Sequence, residues 1–405
     1  MNTAFMKILH LTATLDPEAG GPAEGVRQSA LALAALGHHV ETASLDAPHA
    51  PFLPAFHANF ALPVAALGSG RGKYGRTPRA VPWLLEHGPR FDAVIVNGLW
   101  QYHGFAAWQA LRKAGVRYYV FPHGMLDPWF KRTFPIKHLK KWLYWPWAEY
   151  RVLRDAQAVL FTTEEERILA RQSFWLYRAR EEVVSYGTGK PPGDLTRHAD
   201  AFRAAYPELA GRRIVLFLGR IHPKKGCDLL IRAFAEVADE LPDAQLVFAG
   251  PGSDDVMASL RAVAERSGVG DRITWTGMLQ GELKWGALSA SDVFALPSHQ
   301  ENFGIAVVEA MACALPVLIS NEVNIWREVE ADGAGFVAPD THEGTVRNLR
   351  RWFALDGDER ASMRNRAQAA FLARFTVEAH TRRLLDVLQA GASHHAYPAG
   401  RPSVI

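Results

Sequence analysis

The chain has 405 residues, 48% of them apolar and 21% charged, with a formal net charge of +3. That length exceeds one typical core and points to two or three domains, and the composition excludes a disordered chain. Residues 1–190 hold 22 Lys and Arg against 15 Asp and Glu, and the remainder 23 against 27, so a basic first half and an acidic second half are expected to meet different partners.

In chain order, MKILHLTA (6–13) reads as a buried first strand. Asp16 ends its apolar run too early for a signal peptide. A glycine turn follows (Gly20, Gly21, Pro22), then a helical pattern in GVRQSALALAALGHH with Gly37 as its stop. HVETASL, VIVNGLW, YYVFPHG and AVLFTT are further short apolar runs, alternating with helical segments as parallel βαβ units do. Residues 183–196 are rich in Gly and Pro and read as a linker. The pattern then restarts: RIVLFLGR, AQLVFAG, ITWTG, DVFALPS and LPVLIS are strands with helical segments between them. Two α/β halves in tandem are expected, with ligands at the carboxyl ends of the strands and a cleft where the halves face each other.

Two distant cysteines, Cys227 and Cys313, make neither a disulfide framework nor a metal spacing, which points to a reducing, cytosolic compartment. No stretch approaches the roughly 18 consecutive apolar residues of a membrane span.

Two motifs carry chemistry. In GRIHPKKG (219–226), Arg220 and Lys225 follow a strand and precede a helix. Two cations there make a diphosphate site, Arg as a planar fork and Lys as a point charge; the alternative is a solvated basic loop. In HQENFGIAVVEAMAC (299–313), a helix is expected to start near Gly304, with Asn302 as its cap. Its first amides would point to the same place as Arg220 and Lys225. Glu301 lies just before that helix, within reach of a ligand group beyond the phosphates. Glu309 sits in an apolar run, where a lone buried carboxylate is costly. It must be exposed, paired, or bonded to ligand hydroxyls such as a ribose diol. The plainer readings are an exposed helix glutamate for Glu309 and a solvated loop charge for Glu301.

With these two motifs in order, the chain resembles the retaining glycosyltransferases of family 4, which have the GT-B fold. GGPAEGVRQSALALAALGHHVE is similar to that family's first glycine loop and helix, PHGMLDPW (122–129) to its histidine-glycine loop, and EAMACALPVLIS to the segment after the second glutamate. The resemblance implies an α/β chain of two Rossmann-like domains facing a central cleft. Residues 1–187 would be the acceptor side, residues 188–375 the nucleotide-sugar side, and a helix at 376–390 would return to the first domain. Residues 391–405 look like a disordered tail.

By the same resemblance, Arg220 and Lys225 would bind the donor diphosphate and Glu309 the ribose hydroxyls. Glu301 would contact the transferred sugar, with the backbone of Asn302, Phe303, Gly304 and Ile305 on sugar and phosphate. His123 would sit beside the sugar, Gly21 would let the first loop approach the donor, and Gly277 and Met278 would lie by the base. No metal and no cofactor are implied; the donor is a nucleotide diphosphate sugar, GDP-mannose or a UDP-sugar. The phrases HGMLDPW and NIWREV are similar to those of bacterial members that build exopolysaccharide or lipopolysaccharide, so a glycan or polyprenyl-diphosphate-linked acceptor is implied. The chain departs from the family at Asn324-Ile325-Trp326, where a Gly-Gly pair is common, and at Ala314, where glycine is frequent. A sugar-nucleotide epimerase, or a protein that binds nucleotide sugars without turnover, shares the fold. A NAD-dependent dehydrogenase is disfavoured because no G-x-G-x-x-G follows the first strand.

Three further features remain. His103 follows VIVNGLW and would line an acceptor site or be structural. GSGRGKYG (68–75) is a flexible loop whose Arg71, Lys73 and Arg76 would be acceptor-side charges. Residues 129–151 carry six Lys or Arg and eight aromatics, which suits an anionic membrane surface or a lipid-linked acceptor; buried core aromatics are the alternative. No known nucleic-acid module fits this segment.

Overall fold

The computed structural model describes residues 4–17, 21–70, 72 and 74–393. Arg71, Lys73 and residues 394–405 of the expected tail lie outside the described residues. The chain divides into two compact units, residues 1–187 with 377–405, and residues 188–376.

The first unit is built on seven parallel strands: β1 (Lys7–Thr12), β2 (His39–Ser44), β3 (Val64–Ala66), β4 (Ala93–Asn97), β5 (Tyr118–Phe121), β6 (Ala158–Phe161) and β7 (Glu181–Val183). Their order is β3-β2-β1-β4-β5-β6-β7. All five residues of β4 and all four of β5 and of β6 are buried. A parallel sheet covered on both faces produces such unbroken apolar runs. Alternate residues of β1 feed two cores: Leu9 and Leu11 join one cluster, Ile8 the other. The helix Val377–Ser393 belongs to this unit, and its Leu384, Leu385 and Leu388 pack in the cluster with Ile8, Ile95 and Leu160. Its Gly391 lies so close to β5 that a Cβ there would stand 2.1 Å from the Tyr119 hydroxyl. Residues 391–393 are therefore helical rather than tail. The first helix spans Gly21–Ala35 and so begins at Gly21, four residues before the apolar period becomes visible.

The second unit has six parallel strands: β8 (Arg213–Leu218), β9 (Ala244–Ala249), β10 (Ile273–Gly277), β11 (Val293–Leu296), β12 (Val317–Ser320) and β13 (Gly335–Ala338). Their order is β10-β9-β8-β11-β12-β13. The chain runs outward from β8 through β9 to β10, then returns to β11 and runs outward the other way. The switch point, where open α/β sheets place their ligands, is therefore the carboxyl end of β8 and β11. In the first unit the equivalent point lies between β1 and β4.

Candidate active site

The loop after β8 is GRIHPKKG and the loop after β11 is SHQENFG, so topology alone makes the two motifs neighbours. Backbone bonds then lock them together. The Lys224 carbonyl accepts from the His299 amide at 2.8 Å and from the Ser298 hydroxyl at 2.9 Å. Gly226 has φ +63°, and a Cβ there would stand 2.0 Å from the Pro297 carbonyl oxygen, so only glycine permits this approach. His222 Nδ1 accepts from the Lys224 amide at 3.2 Å, which shapes the turn around Lys225.

Within this frame the Lys225 ammonium donates to the Glu301 carboxylate. Burial, then the neighbouring Lys224 and Arg220, lower the Lys225 ammonium to about 8. The Glu301 carboxylate acts the other way and favours the proton. Arg220 is exposed on the same loop. Glu301 is itself held through its backbone: its amide donates to Glu322 O at 2.9 Å and its carbonyl accepts from the Asn324 amide at 3.0 Å. The departure at Asn324 thus keeps a backbone contact to the glutamate loop.

The helix after Glu301 spans Ile305–Ala312, and Gly304 at φ +82° is its N-terminal cap with no side-chain hydrogen bond. The cap expected from Asn302 is not made; a left-handed glycine turns the chain instead. The amides of Ile305 and Ala306 open the helix without intrahelical acceptors. The Phe303 side chain turns inward onto Phe375, ring centroids 5.9 Å apart, and anchors the loop. Glu309 is buried, and Lys284 Nζ donates to its Oε1 at 2.6 Å. That ion pair answers the question raised by a carboxylate in an apolar run. Gly277 and Met278 close β10, two strands from β8, with Met278 exposed. Ala314 has φ +54° just beyond the helix, a left-handed conformation that glycine adopts without strain.

Two family models match the chain: "Glycosyl transferase 4-like domain" over residues 20–187 and "Glycosyl transferases group 1" over residues 199–370, which together take in most of it. The chain belongs to the family 4-like glycosyltransferases of GT-B fold. Among curated proteins it is similar to D-inositol 3-phosphate glycosyltransferase of Mycolicibacterium smegmatis, at 31% identity over 63% of this chain and 58% of that one. It is also similar to alpha-D-kanosaminyltransferase of Streptomyces kanamyceticus, at 34% identity over 48% and 50%. The chain spans about half the length of the curated relatives it matches. Among solved structures, HepE (Alr3699) of Anabaena in complex with UDP has a TM-score of 0.75 at 19% identity, covering 95% of this chain and 100% of that one. Sucrose-phosphate synthase of Thermosynechococcus elongatus has 0.71 at 21%, covering 95% and 98%.

In this family member the first unit presents a different kind of site. His123 follows β5 at φ +52° and is succeeded by Gly124 at φ +75°. Tyr186 O–H donates to His123 Nδ1, and His123 Nε2–H donates to Asn97 Oδ1 at 3.2 Å, because the Asn97 amide group is engaged with Ile95 O at 3.0 Å. Burial, then His103 and His10, push the imidazole down to about 3, so it is neutral. Its ring, and those of Phe121 and Tyr186, lie nearly parallel in a triangle, with centroids 5.4 Å (Phe121) and 5.6 Å (Tyr186) from that of His123 and 6.5 Å from each other. His103 is fully buried, with Nε2 bonded to Asn97 O at 2.9 Å. It is structural and does not line a site.

Several residues at these sites carry no sequence signal. Glu166 is buried, accepts from the Gly124 amide at 2.6 Å and from the Thr162 amide at 2.7 Å, and so braces the His123–Gly124 turn. Lys284, Asn97 and Tyr186 likewise show their partners only in three dimensions. Glycine at position 25 makes room for the Tyr186 ring, since a Cβ there would stand 2.9 Å from it. The chain holds one Asp-x-Asp triplet, Asp356-Gly357-Asp358, and it begins a helix: Asp356 is its cap, paired with Glu359 in a capping box. Among the described residues no group of three or more His, Cys, Asp or Glu could hold a metal ion. Arg76 is exposed, and the Gly75 amide reaches Gly72 O at 3.1 Å.

Proposed function

We propose that the protein is a retaining glycosyltransferase that moves a hexose from a nucleotide diphosphate sugar to a glycan or polyprenyl-diphosphate-linked saccharide. The observation that carries this reading is the Lys225–Glu301 contact at the switch point of β8 and β11, beside the opening amides of the Ile305–Ala312 helix. A cation there meets a diphosphate and a carboxylate meets sugar hydroxyls, in the order in which a donor carries them.

Breaking the bond between sugar and diphosphate leaves negative charge on the leaving group. Arg220, Lys225 and the amides near Gly304 and Ile305 stabilise that charge, and the reading requires no metal. Even at about 8 Lys225 stays largely an ammonium at neutral pH, and a diphosphate dianion beside it would favour that charged form further. Glu309 accepts from ribose hydroxyls with the lone pairs that Lys284 leaves open. Glu301 and the backbone of Asn302 and Phe303 read the sugar, His123 offers a neutral imidazole, and Gly277 and Met278 flank the base. Gly21 opens the first helix, next to the turn proposed to approach the donor. The sugar becomes oxocarbenium-like as its bond to the diphosphate breaks, and the acceptor hydroxyl attacks from the leaving-group face, giving its proton to a phosphate oxygen of the departing diphosphate. Mannose from a guanine nucleotide is the first donor to test, with exopolysaccharide or lipopolysaccharide assembly on the cytoplasmic side as the setting. The solved relative with bound UDP keeps a uracil nucleotide in the panel.

The test is release of nucleoside diphosphate from GDP-mannose, UDP-glucose and their epimers, with and without a glycan acceptor. Acceptor-dependent release supports transfer. Interconversion of donors without acceptor makes the chain an epimerase, and binding with no turnover makes it a binding protein.

A further inference from the structure

We propose that the helix Pro135–Tyr144 and the turns beside it form a face that docks on the surface of an anionic lipid leaflet. This helix is mounted inside out. Its anchors to the protein are polar or charged: His138 stacks on Phe174 at 4.6 Å, Lys141 Nζ lies 4.5 Å over the Trp100 ring, and the Tyr144 hydroxyl meets that of Tyr74. Lys141 therefore points inward. Trp145, which follows, is fully buried, stacks on Phe174 and donates its indole N–H to Trp175 O at 2.9 Å.

The opposite stripe is apolar. Ile136, Leu139 and Leu143 follow the i, i+3, i+7 spacing of one helix face. Ile136 is 76% exposed, Leu143 62%, and Trp147 beyond the helix 68%. Of the fourteen large apolar side chains exposed among the described residues, eight lie at positions 134–147 and 175–176. Trp142 and Trp175 meet at 5.7 Å and join the two segments into one patch. Between them runs a groove of about 610 Å3 lined by Pro135, His138, Leu139, Trp142, Phe174 and Trp175. A patch of this kind marks an interaction surface.

Charge selects the occupant. Lys131, Arg132, Lys137 and Lys140 are exposed around the patch, and the one carboxylate of residues 129–151, Glu149, is fully buried. Aliphatic side chains dipping below tryptophans, with lysines at their edge, match the acyl boundary, the interface and the anionic headgroups in turn. A second copy of the chain would set these cations against themselves. Single-stranded nucleic acid would engage the aromatics and lysines but leave Ile136, Leu139 and Leu143 in water. No helix among the described residues is long and apolar enough to cross a membrane, so the helix would lie in the interface. The proposal stands on the first unit alone and requires no nucleotide.

The experiment is sedimentation of the full chain with phosphatidylcholine vesicles and with vesicles that also contain phosphatidylglycerol. The wild type is expected to pellet with the anionic vesicles and less with the neutral ones. Lys137→Glu with Lys140→Glu should lower partitioning by about fivefold or more per site at low salt. Ile136→Ser with Leu139→Ser and Leu143→Ser should lower it at least about tenfold. These side chains are exposed, so circular dichroism melting should match the wild type, and the result is readable whether or not the chain binds a nucleotide. A wild type that stays in the supernatant overturns the proposal. So does pelleting that neither variant changes, or a lipid-free dimer that the serine variant abolishes.

Discussion

At the switch point of the second unit, between β8 and β11, the side chains are charged and paired: Lys225 with Glu301, and Lys284 with Glu309 on the helix that follows. At the carboxyl end of the first sheet they are neutral and aromatic. Burial lowers His10 to about 3, His103 to about 4 and His123 to about 3, and raises Glu149 to about 8. Both sheets are parallel and reverse at one point, so the scaffold alone does not set the electrostatics. The difference lies in what the loops bring. Glycine-shaped loops in the second unit hold cations half in solvent beside carboxylates, whereas in the first His10 within β1, His103 and Glu149 in helices and His123 on a left-handed turn are all out of water. The charged end suits a diphosphate, and the neutral end suits hydroxyl-rich or apolar partners.

The comparison breaks first at Lys225. Removing it takes a cation from the developing diphosphate charge and leaves Glu301 without its partner. Lys225→Ala should slow donor turnover by about 10²–10³-fold, as loss of one preorganised charge contact does. The change should be largely in kcat, measured as nucleoside diphosphate release. An unchanged rate would assign the diphosphate elsewhere.

On the neutral side, Glu149 gives a pH test. The Trp100 amide donates to it at 3.0 Å, and Lys141 is the cation that acts on it, with Tyr144 and Tyr74 nearby. The folded value, about 8, is above the unfolded one, 4.5. The unfolded chain therefore releases this proton first as pH rises. The stability it confers is complete below about 4.5 and is lost by about 8, a change on the order of a few kcal/mol. Glu149→Gln keeps an acceptor for the Trp100 amide and removes the titration. The variant should melt higher than the wild type at pH 8.5 and lose much of the downward slope between pH 5 and 8 in a melting series. An unaltered slope would mean that Glu149 is charged in the fold.

The smallest effect concerns the charged helix's far end. Ala314 adopts φ +54° without a glycine's freedom. Ala314→Gly should raise stability by about 1 kcal/mol, read as a shift in the urea midpoint, with turnover unchanged. A loss of stability would show that the Ala314 methyl contributes more than the strain costs.

Much of this was legible before the structure. Parallel strands buried on both faces write long apolar runs, so β1, β4, β8 and β9 were plain. Short or half-buried ones were not: β3, β7 and β13 write weak patterns, and β13 begins at Gly335, which is small because a Cβ there would stand 1.8 Å from Val317 O. Arg220, Lys225, Glu301 and Glu309 stood out because charge beside a strand end or inside an apolar helix needs a reason. Their supports did not. Lys284 and Glu166 act through partners 25 and 42 residues away, and no local pattern encodes such distances. The Asn302 cap was misread because side-chain capping and a left-handed glycine solve the same helix start, and Gly304 took it. In residues 129–151 the composition was clear, but which cation faces inward was not. Lys141 turned in and Lys140 out, which only the packing of Trp100 and Phe130 decides.

The central claim is that the second unit holds a nucleoside diphosphate through Lys225 and Glu309. Thermal shift of the wild type and of Glu309→Ala against GDP, UDP, ADP and their sugars tests it most directly. The account predicts that at least one nucleoside diphosphate stabilises the wild type by about 2–4 kcal/mol at saturating concentration, and Glu309→Ala distinctly less. No rise in melting temperature with any of them, or an equal rise in Glu309→Ala, would contradict it.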